Sequence, residues 1–536
     1  MDKYSGIISL SKRRGIFYPS YDIYGGEAGF YDYGPIGTLL KNNVENKWRE
    51  LYMLKENFFE ISTPIITPYN VLKASGHVDK FLDVILTCEN CGESFKAGDV
   101  PEENYEKLKC PECNGKLKKD KINLMFETGI GPRKKERAFL CPETAQGIFV
   151  NFPFLYQFSR KKLPLGVVQI GKGFRNEVSP RQGIIRLREF SMAEAEIFFD
   201  PENKNHMGFD EIKNDVITII PAGRDEMRNS VKKIVEKGII GNNALAYHIA
   251  LTKRFLVSVG IDEKKLRFRQ HLQKEMAHYA SDCWDAEILT SFGWVECVGI
   301  ADRTAYDIKA HMDATGVDMT AFKVYDKPVK EKRKIIVPKM DKLGPAFMGN
   351  AKKIKEMLEK MEPTDEPVHL KIDGNDIEIG KEFYDVVEKE ITVTGKNFIP
   401  HVIEPSYGID RVIYCILEHN YVETEKEGEK YFTLKLPSCI APVKAGVFPL
   451  ANKDGLPSIA REIETDLREK GIVAFYDGRG SIGRRYARMD EIGTPFCITV
   501  DYTTIEDNTV TVRWRDTTEQ IRIDRKELAG WIQENM

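Results

Sequence analysis

The stretch from Gln169 to Phe198, QIGKGFRNEVSPRQGIIRLREFSMAEAEIF, constrains the fold of this chain more than any other segment. Two alternating segments flank SPRQG, whose proline and glycine suit a turn, so one long antiparallel hairpin is predicted. Side chains alternate between the faces of a strand, so Arg175 and Glu177 share one face of the first segment. One face of the second segment carries Arg186, Arg188, Phe190, Met192, Glu194 and Glu196. Such charges usually mark a solvated face, but arginines beside an aromatic ring also suit a nucleotide.

A distant arginine favours the nucleotide interpretation. Arg411 follows SYGID at the predicted start of a helix, more than 200 residues after the hairpin. Planar guanidinium groups bind phosphate oxygens in pairs, and two arginines that converge on one site suit a polyphosphate. We therefore expect Arg175 and Arg411 to meet at one nucleotide site.

Length and composition set the outer limits. A chain of 536 residues is too long for one core, and roughly three or four domains are expected. The net charge of −3 gives no bulk attraction to nucleic acid, so any RNA contact must come from local basic patches. No apolar run approaches the roughly 20 residues that span a bilayer, and the first ten residues lack a signal-peptide core. A cytoplasmic protein without a membrane segment is expected.

Helical and strand patterns place the remaining elements. Apolar spacing predicts an amphipathic helix from Thr38 to Lys55. FFEISTPIITP follows, and its prolines place this strand at a sheet edge or a subunit boundary. From Pro437 onward the order is strand, helix, strand, helix, strand, which predicts a separate α/β unit with a largely parallel sheet. Four arginines in that unit favour either RNA binding or a solvated face: Arg479, Arg484, Arg485 and Arg488.

Four of the ten cysteines form two close pairs, Cys88 with Cys91 and Cys110 with Cys113. Two Cys-x2-Cys pairs at this separation predict a structural zinc ribbon, because four thiolates leave no open position for catalysis. Reduced cysteines without a metal are the alternative. Nearby lysines are candidates for contact with RNA phosphates: Lys107, Lys109, Lys116, Lys118 and Lys119.

Two other clusters have ordinary explanations. His271, Glu275 and His278 have the spacing of one helical face and resemble a metal site, but packing and hydrogen bonding explain them better. The basic residues of 133–137 suit either a tRNA contact or a solvated loop: Arg133, Lys134, Lys135 and Arg137.

Together these residues resemble the class II aminoacyl-tRNA synthetases, most closely the glycyl-tRNA synthetases of the archaeal and eukaryotic type. The helix and strand that end at Pro64 are similar to the family's first motif, a dimer-interface element. FRNE with RLREF is similar to the second motif and EPSYGIDR, from Glu404 to Arg411, to the third. Only Gly408 remains of the glycines that usually precede the third-motif arginine. Longer blocks resemble the glycyl branch: SGHVDKF, CPETAQGIF, RFRQH with EMAHYASDCWDAE, and GWVECVGIADR.

The resemblance implies an α+β fold: an antiparallel class II catalytic core with inserted modules, one of them the zinc ribbon, and a C-terminal α/β anticodon-binding domain. The ranges it implies are 1–86 (core with motif 1), 87–121 (zinc ribbon), 122–200 (core with motif 2), 201–280 (helical insertion), 281–320 (core), 321–397 (insertion), 398–433 (core with motif 3) and 434–536 (anticodon-binding domain).

The implied activity is that of a glycine–tRNA ligase. Such an enzyme activates glycine with ATP to glycyl-adenylate and transfers it to the 3′-terminal adenosine of tRNA(Gly), acting as a homodimer. Arg175, Glu177, Glu296 and Arg411 are the implied catalytic residues, with Glu296 as the Mg²⁺ ligand. Phe190 is expected to stack on adenine, Glu177 to bind its amino group, and Arg411 to hold the γ-phosphate. The implied ATP site also includes Asn176, Arg186, Leu187 and the backbone of Cys297.

The resemblance also implies a glycine pocket, formed by Glu143, Glu194, Arg303, Glu404, Pro405 and Ser406. Three carboxylates in one pocket repel one another, and an ammonium group together with Arg303 would compensate their charge. Glycine can be selected by steric exclusion alone, because every competitor carries extra atoms, and no editing domain is recognised.

Two other functions stay open at this stage. A non-catalytic nucleic-acid-binding relative would have lost the catalytic residues, yet all four are present: Arg175, Glu177, Glu296 and Arg411. A class II synthetase for another small amino acid would not need the four pocket residues Glu143, Glu194, Glu404 and Ser406.

Overall fold

A computed structural model of the chain describes residues 2–96, 105, 107–133, 136–178, 180, 182–277, 279–364, 366–372, 375–426 and 428–536. Its centre is a nine-stranded sheet, in which neighbouring strands are antiparallel except for two parallel pairs. Across the sheet the strands are Met227–Ser230, Val216–Ile220, Leu266–Gln270, Asp282–Thr290, Gly293–Thr304, His401–Gly408, Glu189–Phe199, Leu165–Phe174 and Phe59–Glu60. The sequence predicts this antiparallel core.

The predicted hairpin lies in this sheet. Strand Leu165–Phe174 pairs with Glu189–Phe199, and Gly173 faces Phe190 while Gln169 faces Glu194. Residues 175–188 form the connection, which contains the 3-10 turn Gly183–Ile185. Arg175, Glu177, Arg186 and Arg188 therefore lie in this connection, so the prediction that they share strand faces is wrong. Pro180 lacks an N–H donor and Gly183 has a φ of +55°, so neither residue extends the ladder into this connection. Ser179 and Arg181 lie outside the described residues.

The two faces of the central sheet differ in character. One face carries apolar side chains such as Ala193, Ile197 and Tyr407. Three helices cover it: Pro35–Arg49 with its π-helical extension Glu50–Lys55, Asn243–Ser258 and Ile409–Asn420. The first of these is the predicted helix, which begins three residues early at Pro35, because proline fits the first turn. The opposite face carries polar residues under helices Ala145–Val150 and Phe152–Phe158.

The predicted strand FFEISTPIITP is two short strands. Phe59–Glu60 lies at the edge of the central sheet, as predicted, and Ile66–Pro68 pairs with Glu136–Leu140 in another sheet that also contains Glu127–Ile130. A continuous strand was the wrong expectation, since Pro64 cannot donate to a ladder. The neighbouring helices and strands are Lys3–Arg14, Phe17–Pro19, Tyr31–Tyr33, Tyr69–Ala74 and His77–Lys80.

The segment 201–280 is mixed rather than helical. It contains helices Phe209–Ile212, Val231–Glu236 and Asn243–Ser258, but three of its strands extend the central sheet. Its first strand, Val216–Ile220, is rich in β-branched residues, which favour a pleated surface. The prediction of a helical insertion is therefore wrong for this segment.

Residues Thr320–Phe398 form a compact unit of their own. A long ribbon of Ala321–Pro338 and Tyr384–Phe398 carries a small core with helices Met340–Phe347 and Ala351–Leu358 and the hairpin Val368–Ile372 with Asn375–Ile379. A second three-stranded sheet, Leu82–Cys88, Ser94–Lys96 and Leu117–Asn123, holds the paired cysteines.

The C-terminal α/β unit has a five-stranded sheet in the order Ala474–Tyr476, Ala445–Pro449, Phe496–Val500, Thr509–Trp514 and Gln520–Asp524. The first three strands are parallel, as predicted, and the last two are antiparallel. Its helices are Leu456–Glu469, Ile482–Asp490, Tyr502–Asp507 and Leu528–Glu534. Helix Tyr306–Thr315 follows strand Gly293–Thr304, and the hairpin Tyr421–Lys426 with Glu429–Leu434 follows helix Ile409–Asn420. In the described part of the chain, no helix has the length and apolarity that a membrane crossing requires.

Candidate active site

Strand register brings the predicted pocket residues together on the polar face of the sheet. Glu194 faces Ser406 across one strand pair, and Ser406 faces Gly299 across the next. One row further along, Glu404 faces Ala301. Side chains on one face of neighbouring strands lie side by side, so Glu194, Ser406 and Glu404 line one floor.

Glu194 accepts three hydrogen bonds from two neighbouring residues. Its carboxylate accepts from the Thr144 backbone N–H at 2.6 Å, from the Thr144 hydroxyl, and from the Ser406 hydroxyl at 2.6 Å. Burial, followed by repulsion from Glu143, nevertheless raises the pKa of Glu194. A buried anion with this environment is ready to bind a cation.

Arg303 is the basic centre of the pocket. Its side chain is 1% exposed and donates to Glu404 at 2.8 and 2.9 Å and to Asp307 at 2.9 and 3.0 Å. The guanidinium lies 3.8 Å from the centre of the Tyr279 ring. Burial raises the pKa of Glu404 to about 7, against the lowering effect of Arg303. Arg303 therefore holds Glu404 in place without fully stabilising its charge.

Glu143 lies at the other side of the pocket. Gln146 donates to it at 3.0 Å, and His77 Nε2 lies 3.4 Å from its carboxylate. Burial acts to raise the pKa of Glu143, but His77, Arg303 and Gln146 together hold it below the ordinary value. Glu143 is thus the carboxyl of this pocket with the best-stabilised charge.

The structure adds positioning residues that sequence reasoning missed. Gln146 donates to Asp307 as well as to Glu143 and accepts from His311, so one amide links three polar groups. His77, Thr144 and Gln146 all lie in the blocks SGHVDKF and CPETAQGIF, which were the available signal. Asp307 comes four residues after Arg303, a spacing that could have indicated an ion pair.

The aromatic part of the site is built around Phe190. The Arg175 guanidinium lies 5.3 Å from the ring centres of both Phe190 and Phe81, and its Nε donates to the Pro142 carbonyl at 3.3 Å. Gly173 faces Phe190, and a Cβ there would lie 2.6 Å from the ring. Glycine at position 173 is therefore required for the ring to lie flat on the strand.

Arg411 lies in the first turn of helix Ile409–Asn420. Its Nε donates to the Ile185 carbonyl at 3.1 Å and its Nη1 to the Glu296 carbonyl at 2.7 Å. The preceding Asp410 accepts from the Ser191 N–H and from the Tyr33 hydroxyl, both at 2.6 Å. These bonds tie the start of the helix to the hairpin strand.

The other residues predicted to contact ATP differ in how far they are exposed to solvent. Asn176 is exposed, Arg186 is half-buried and Leu187 is buried. One carboxylate oxygen of Glu177 is buried without a hydrogen-bond partner among the described residues. The Glu296 side chain is exposed, 3.8 Å from Arg411. The Cys297 thiol lies in the core, 3.6 Å from the Cys415 thiol, so only its backbone is available at the surface of the site.

Comparisons with known proteins decide the family. Residues 126–420 match the tRNA synthetase class II core domain (G, H, P, S and T), and residues 440–535 match the anticodon binding domain. The glycine–tRNA ligase of Methanocaldococcus jannaschii is 51% identical over 100% of this chain and 99% of its own length. That of Archaeoglobus fulgidus is 48% identical over 99% of this chain and 96% of its own. The chain belongs to the glycine–tRNA ligase family.

Solved structures agree on the fold of this glycine–tRNA ligase family member. A threonyl-tRNA synthetase structure from Cryptosporidium parvum matches with a TM-score of 0.55 and 17% identity, covering 98% of each chain. The Giardia lamblia prolyl-tRNA synthetase, solved with prolyl-adenylate, matches with a TM-score of 0.55 and 14% identity, covering 98% of this chain and 75% of its own. At these identities the likeness establishes the class II fold alone.

The cysteine module of this family member has the geometry of a metal site. The sulfurs of the four cysteines all lie within 4.8 Å of one another, with Cys88 3.4 Å from Cys113 and Cys91 3.6 Å from Cys110. Tetrahedral zinc with bonds of about 2.3 Å separates its sulfur ligands by about 3.8 Å. Hydrogen bonding from the Cys91 backbone lowers the pKa of the Cys88 thiol to about 6. The four cysteines therefore fit a zinc ion.

The histidine cluster is not helical in this ligase family member. His271 follows strand Leu266–Gln270 and its Nε2 lies 2.6 Å from Asp285, while Glu275 accepts from Arg269. The prediction that these residues share one face of a helix is wrong. The hydrogen bonding expected of them is present for His271 and Glu275. His271, Cys283 and Asp285 do lie within 4.8 Å of one another, but Arg269 pairs with Asp285 at 3.3 Å and neutralises its charge. His278 lies outside the described residues.

Two basic clusters are partly used within the fold. Arg137 makes a two-bond ion pair with Glu127, at 2.8 Å each, and Lys134 and Lys135 lie outside the described residues. In the C-terminal unit, Arg485 is buried and donates to the carbonyls of Pro449, Gly478 and Gly480. Arg488 pairs with Asp477, which leaves Arg479 and Arg484 as the exposed members of the predicted cluster.

Proposed function

We propose that this family member is a glycine–tRNA ligase that activates glycine with ATP and transfers it to the 3′-terminal adenosine of tRNA(Gly). The observation that carries the proposal is the shared floor of the site. Phe190 and Arg175 lie at one end of strand Glu189–Phe199, and Glu194 lies four residues along the same strand beside Ser406 and Glu404. A nucleotide and a small amine can thus be held end to end.

In this proposal the nucleotide lies over Phe190. The ring stacks on adenine, Glu177 accepts from the adenine amino group through its unsatisfied oxygen, and Asn176, Arg186 and Leu187 border the nucleotide. Arg175 bridges the α-phosphate and the glycine carboxylate, because a guanidinium can donate to two oxyanions at once. Arg411 holds the γ-phosphate. Positioned cations of this kind stabilise the charge that develops at the α-phosphorus during adenylate formation.

Magnesium is part of the proposal. The exposed carboxylate of Glu296 stands beside Arg411 and suits a cation that prefers oxygen ligands, with the Cys297 backbone nearby. Bound Mg²⁺ would neutralise phosphate charge and favour release of pyrophosphate. Arg411 Nη1 donates to the Glu296 carbonyl at 2.7 Å. This bond would keep the arginine and the magnesium ligand at a fixed separation on the phosphates.

The glycine ammonium is assigned to Glu143, Glu194, Glu404 and Ser406. Glu194 and Glu404 both have raised pKa values, because burial and their neighbours disfavour two adjacent anions. A bound ammonium restores the charge balance that Arg303 alone does not supply. Pro405, between Glu404 and Ser406, lacks an N–H donor and keeps that strand without an unsatisfied donor in the pocket.

The remaining parts of the proposal concern partners. The C-terminal unit binds the anticodon, and the cysteine module holds a structural zinc ion. Edge strand Phe59–Glu60 and the preceding helix form the interface of a homodimer, and ten unpaired cysteines suit the cytoplasm. The domain ranges inferred from the sequence belong to the same proposal, except that segment 201–280 contains both helices and strands.

ATP–pyrophosphate exchange with glycine, alanine and serine tests this function, followed by charging of tRNA(Gly). We expect exchange with glycine and at least about tenfold weaker exchange with alanine, since one added methyl group must be rejected sterically. If none of the three amino acids supports exchange, the proposed enzymatic activity is contradicted. A preference for alanine or serine would contradict the glycine assignment.

A further inference from the structure

Glu196 is a buried carboxyl group to which no role has been assigned. Its side chain lies on the same strand face as Glu194, two residues further along, and the residue is 0% exposed. Neither of its carboxylate oxygens has a hydrogen-bond partner among the described residues. An ionised carboxylate without donors in such a place is very costly.

The register places Glu196 beside the glycine pocket. Glu194 faces Ser406 and Ile197 faces Ile403 on the adjacent strand, so Glu196 falls opposite Glu404. Phe198, the next residue on this face, packs against Phe149 and Phe152 of the covering helices. Water is therefore excluded from the place where the two carboxyl groups meet.

The distribution of donors indicates which carboxyl group carries a proton. Five acidic side chains are buried here: Glu143, Glu194, Glu196, Asp307 and Glu404. Arg303 lies within 4 Å of three of them, Glu143, Asp307 and Glu404. Glu143 and Glu194 have amide, hydroxyl or imidazole neighbours, and Glu404 and Asp307 have the guanidinium. Glu196 alone of the five has no donor, so a proton is most stable on Glu196.

We infer that Glu196 is a neutral carboxylic acid that shares its proton with Glu404 and thereby acts as a positioning residue for the glycine ammonium. Its proton gives Glu404 a second donor besides Arg303, which keeps Glu404 ionised and oriented toward the substrate. This inference rests on the proposed function. Burial, followed by repulsion from Glu404, raises the pKa of Glu196 well above the ordinary value, which agrees with the geometry.

The charges around the pair come from every surrounding element. Glu194 lies on the same strand as Glu196, Arg303 lies on strand Gly293–Thr304, and Tyr279 lies in the loop before strand Asp282–Thr290. Asp307 and His311 lie on helix Tyr306–Thr315, and Glu143 and His77 lie across the pocket. Glutamine is nearly isosteric with glutamic acid and donates permanently, so Glu196→Gln should preserve the pair. Leucine has a similar volume and donates nothing, so Glu196→Leu should remove it.

The test measures glycine-dependent ATP–pyrophosphate exchange by the full-length wild type and both variants between pH 6 and 9. We expect the glycine KM of Glu196→Gln to stay within about threefold of wild type. Glu196→Leu should raise the glycine KM roughly tenfold near pH 6.5, with a smaller change in kcat, because loss of a donor raises the pKa of Glu404. Equal KM increases in Glu196→Gln and Glu404→Gln, or a wild-type pH profile in Glu196→Leu, would overturn the inference.

An infrared measurement tests the proton without any activity. The wild type at pH 8 should show the carbonyl stretch of a buried neutral carboxylic acid, and Glu196→Gln should lack this band. An identical spectrum for the two proteins would overturn the inference. If the wild type shows the band but no exchange with glycine, the proposed function fails while the proton assignment stands. Denaturation curves of both variants show whether the KM changes arise in folded protein.

Discussion

Glu194 and Ser406 face each other on adjacent antiparallel strands and are joined by a 2.6 Å hydrogen bond from the serine hydroxyl. The two residues are 212 positions apart in the sequence, and their contact joins the second and third sequence motifs. The bond orients Glu194 while leaving its charge only partly compensated. The glycine end of the proposed site depends on this pairing of strands.

Replacing Ser406 with alanine should weaken glycine binding. Glu194 would lose one of its donors, and hydrogen bonds to charged groups contribute about 1.5–3 kcal/mol, so the glycine KM should rise roughly tenfold to hundredfold. Exchange kinetics at varied glycine concentration measure this. Ser191→Ala is the matched control, because the Ser191 hydroxyl is buried without a partner among the described residues. Equal effects of the two substitutions would argue against a specific role of Ser406.

A methyl group at position 299 should block the site without disturbing the fold. Gly299 faces Ser406 on the floor, and a Cβ there would have Asp285 as its nearest contact, at 4.0 Å. The added methyl group should displace bound glycine by about 1 Å. Because a misplacement of that size costs about a hundredfold in rate, we expect Gly299→Ala to lower kcat/KM for glycine by about that factor. Its denaturation midpoint should match that of the wild type. Gly530→Ala, also in open space but in the C-terminal unit, should leave exchange unchanged.

Removing the charge of Arg303 should destabilise the protein. Arg303→Met leaves Glu404 and Asp307 buried without their guanidinium partner, and the free energy of unfolding should fall by about 3–5 kcal/mol. Urea denaturation followed by fluorescence measures this loss. Arg137→Ala breaks an exposed ion pair with Glu127 and should have little effect. A wild-type unfolding curve for Arg303→Met would show that the buried network adds nothing to stability.

The glycine KM should rise as the pH falls below about 7. Burial raises the pKa of Glu404 to about 7, and protonation removes the charge that binds the ammonium. The folded state holds this proton between the unfolded pKa of 4.5 and about 7, so the contribution of Glu404 to stability decreases as pH rises through that window. Exchange assays and thermal melts across pH 5.5–8.5 measure the two effects. A flat glycine KM over this range would contradict the assignment of Glu404.

Metal analysis tests the cysteine module. The purified protein should contain one zinc ion per chain, and Cys110→Ser should lose it, since three thiolates hold zinc more weakly than four. Hydrogen exchange in residues 82–123 should then increase. Cys439→Ser is the control, because Cys439 lies outside the cluster. Equal zinc content in all three proteins would exclude the ribbon.

The sequence predicts those parts of the site that depend on local pattern. The hairpin, the helix that ends in the π turn Glu50–Lys55 and the edge position of Phe59–Glu60 follow from periodicity and from proline. Alternation alone could not show that the strand pairing ends at Phe174, since that end depends on how the 175–188 connection folds. The strands within 201–280 were missed although Val216–Ile220 pairs locally with Met227–Ser230, and the β-branched run VITII was the available signal.

Side-chain roles were harder to predict than strands. Arg485 and Arg484 are neighbours with the same chemistry, yet one is buried under three carbonyl oxygens and the other is exposed. Nothing local distinguishes them, because burial is set by the packing of helix Ile482–Asp490 on its sheet. Asp307 and Gln146 were missed for the same reason: they support the pocket from a second layer that only the folded chain brings together.

The bond from the Ser191 N–H to Asp410 has a mechanical consequence. Phe190 and Ser191 are adjacent on the hairpin strand, and Asp410 and Arg411 are adjacent at the start of their helix. In the proposed complex, the residues assigned to the adenine ring and to the γ-phosphate, Phe190 and Arg411, therefore belong to one hydrogen-bonded unit, and the span between them is set before any nucleotide arrives. A nucleotide that contacts both residues must therefore adopt a conformation that matches this span.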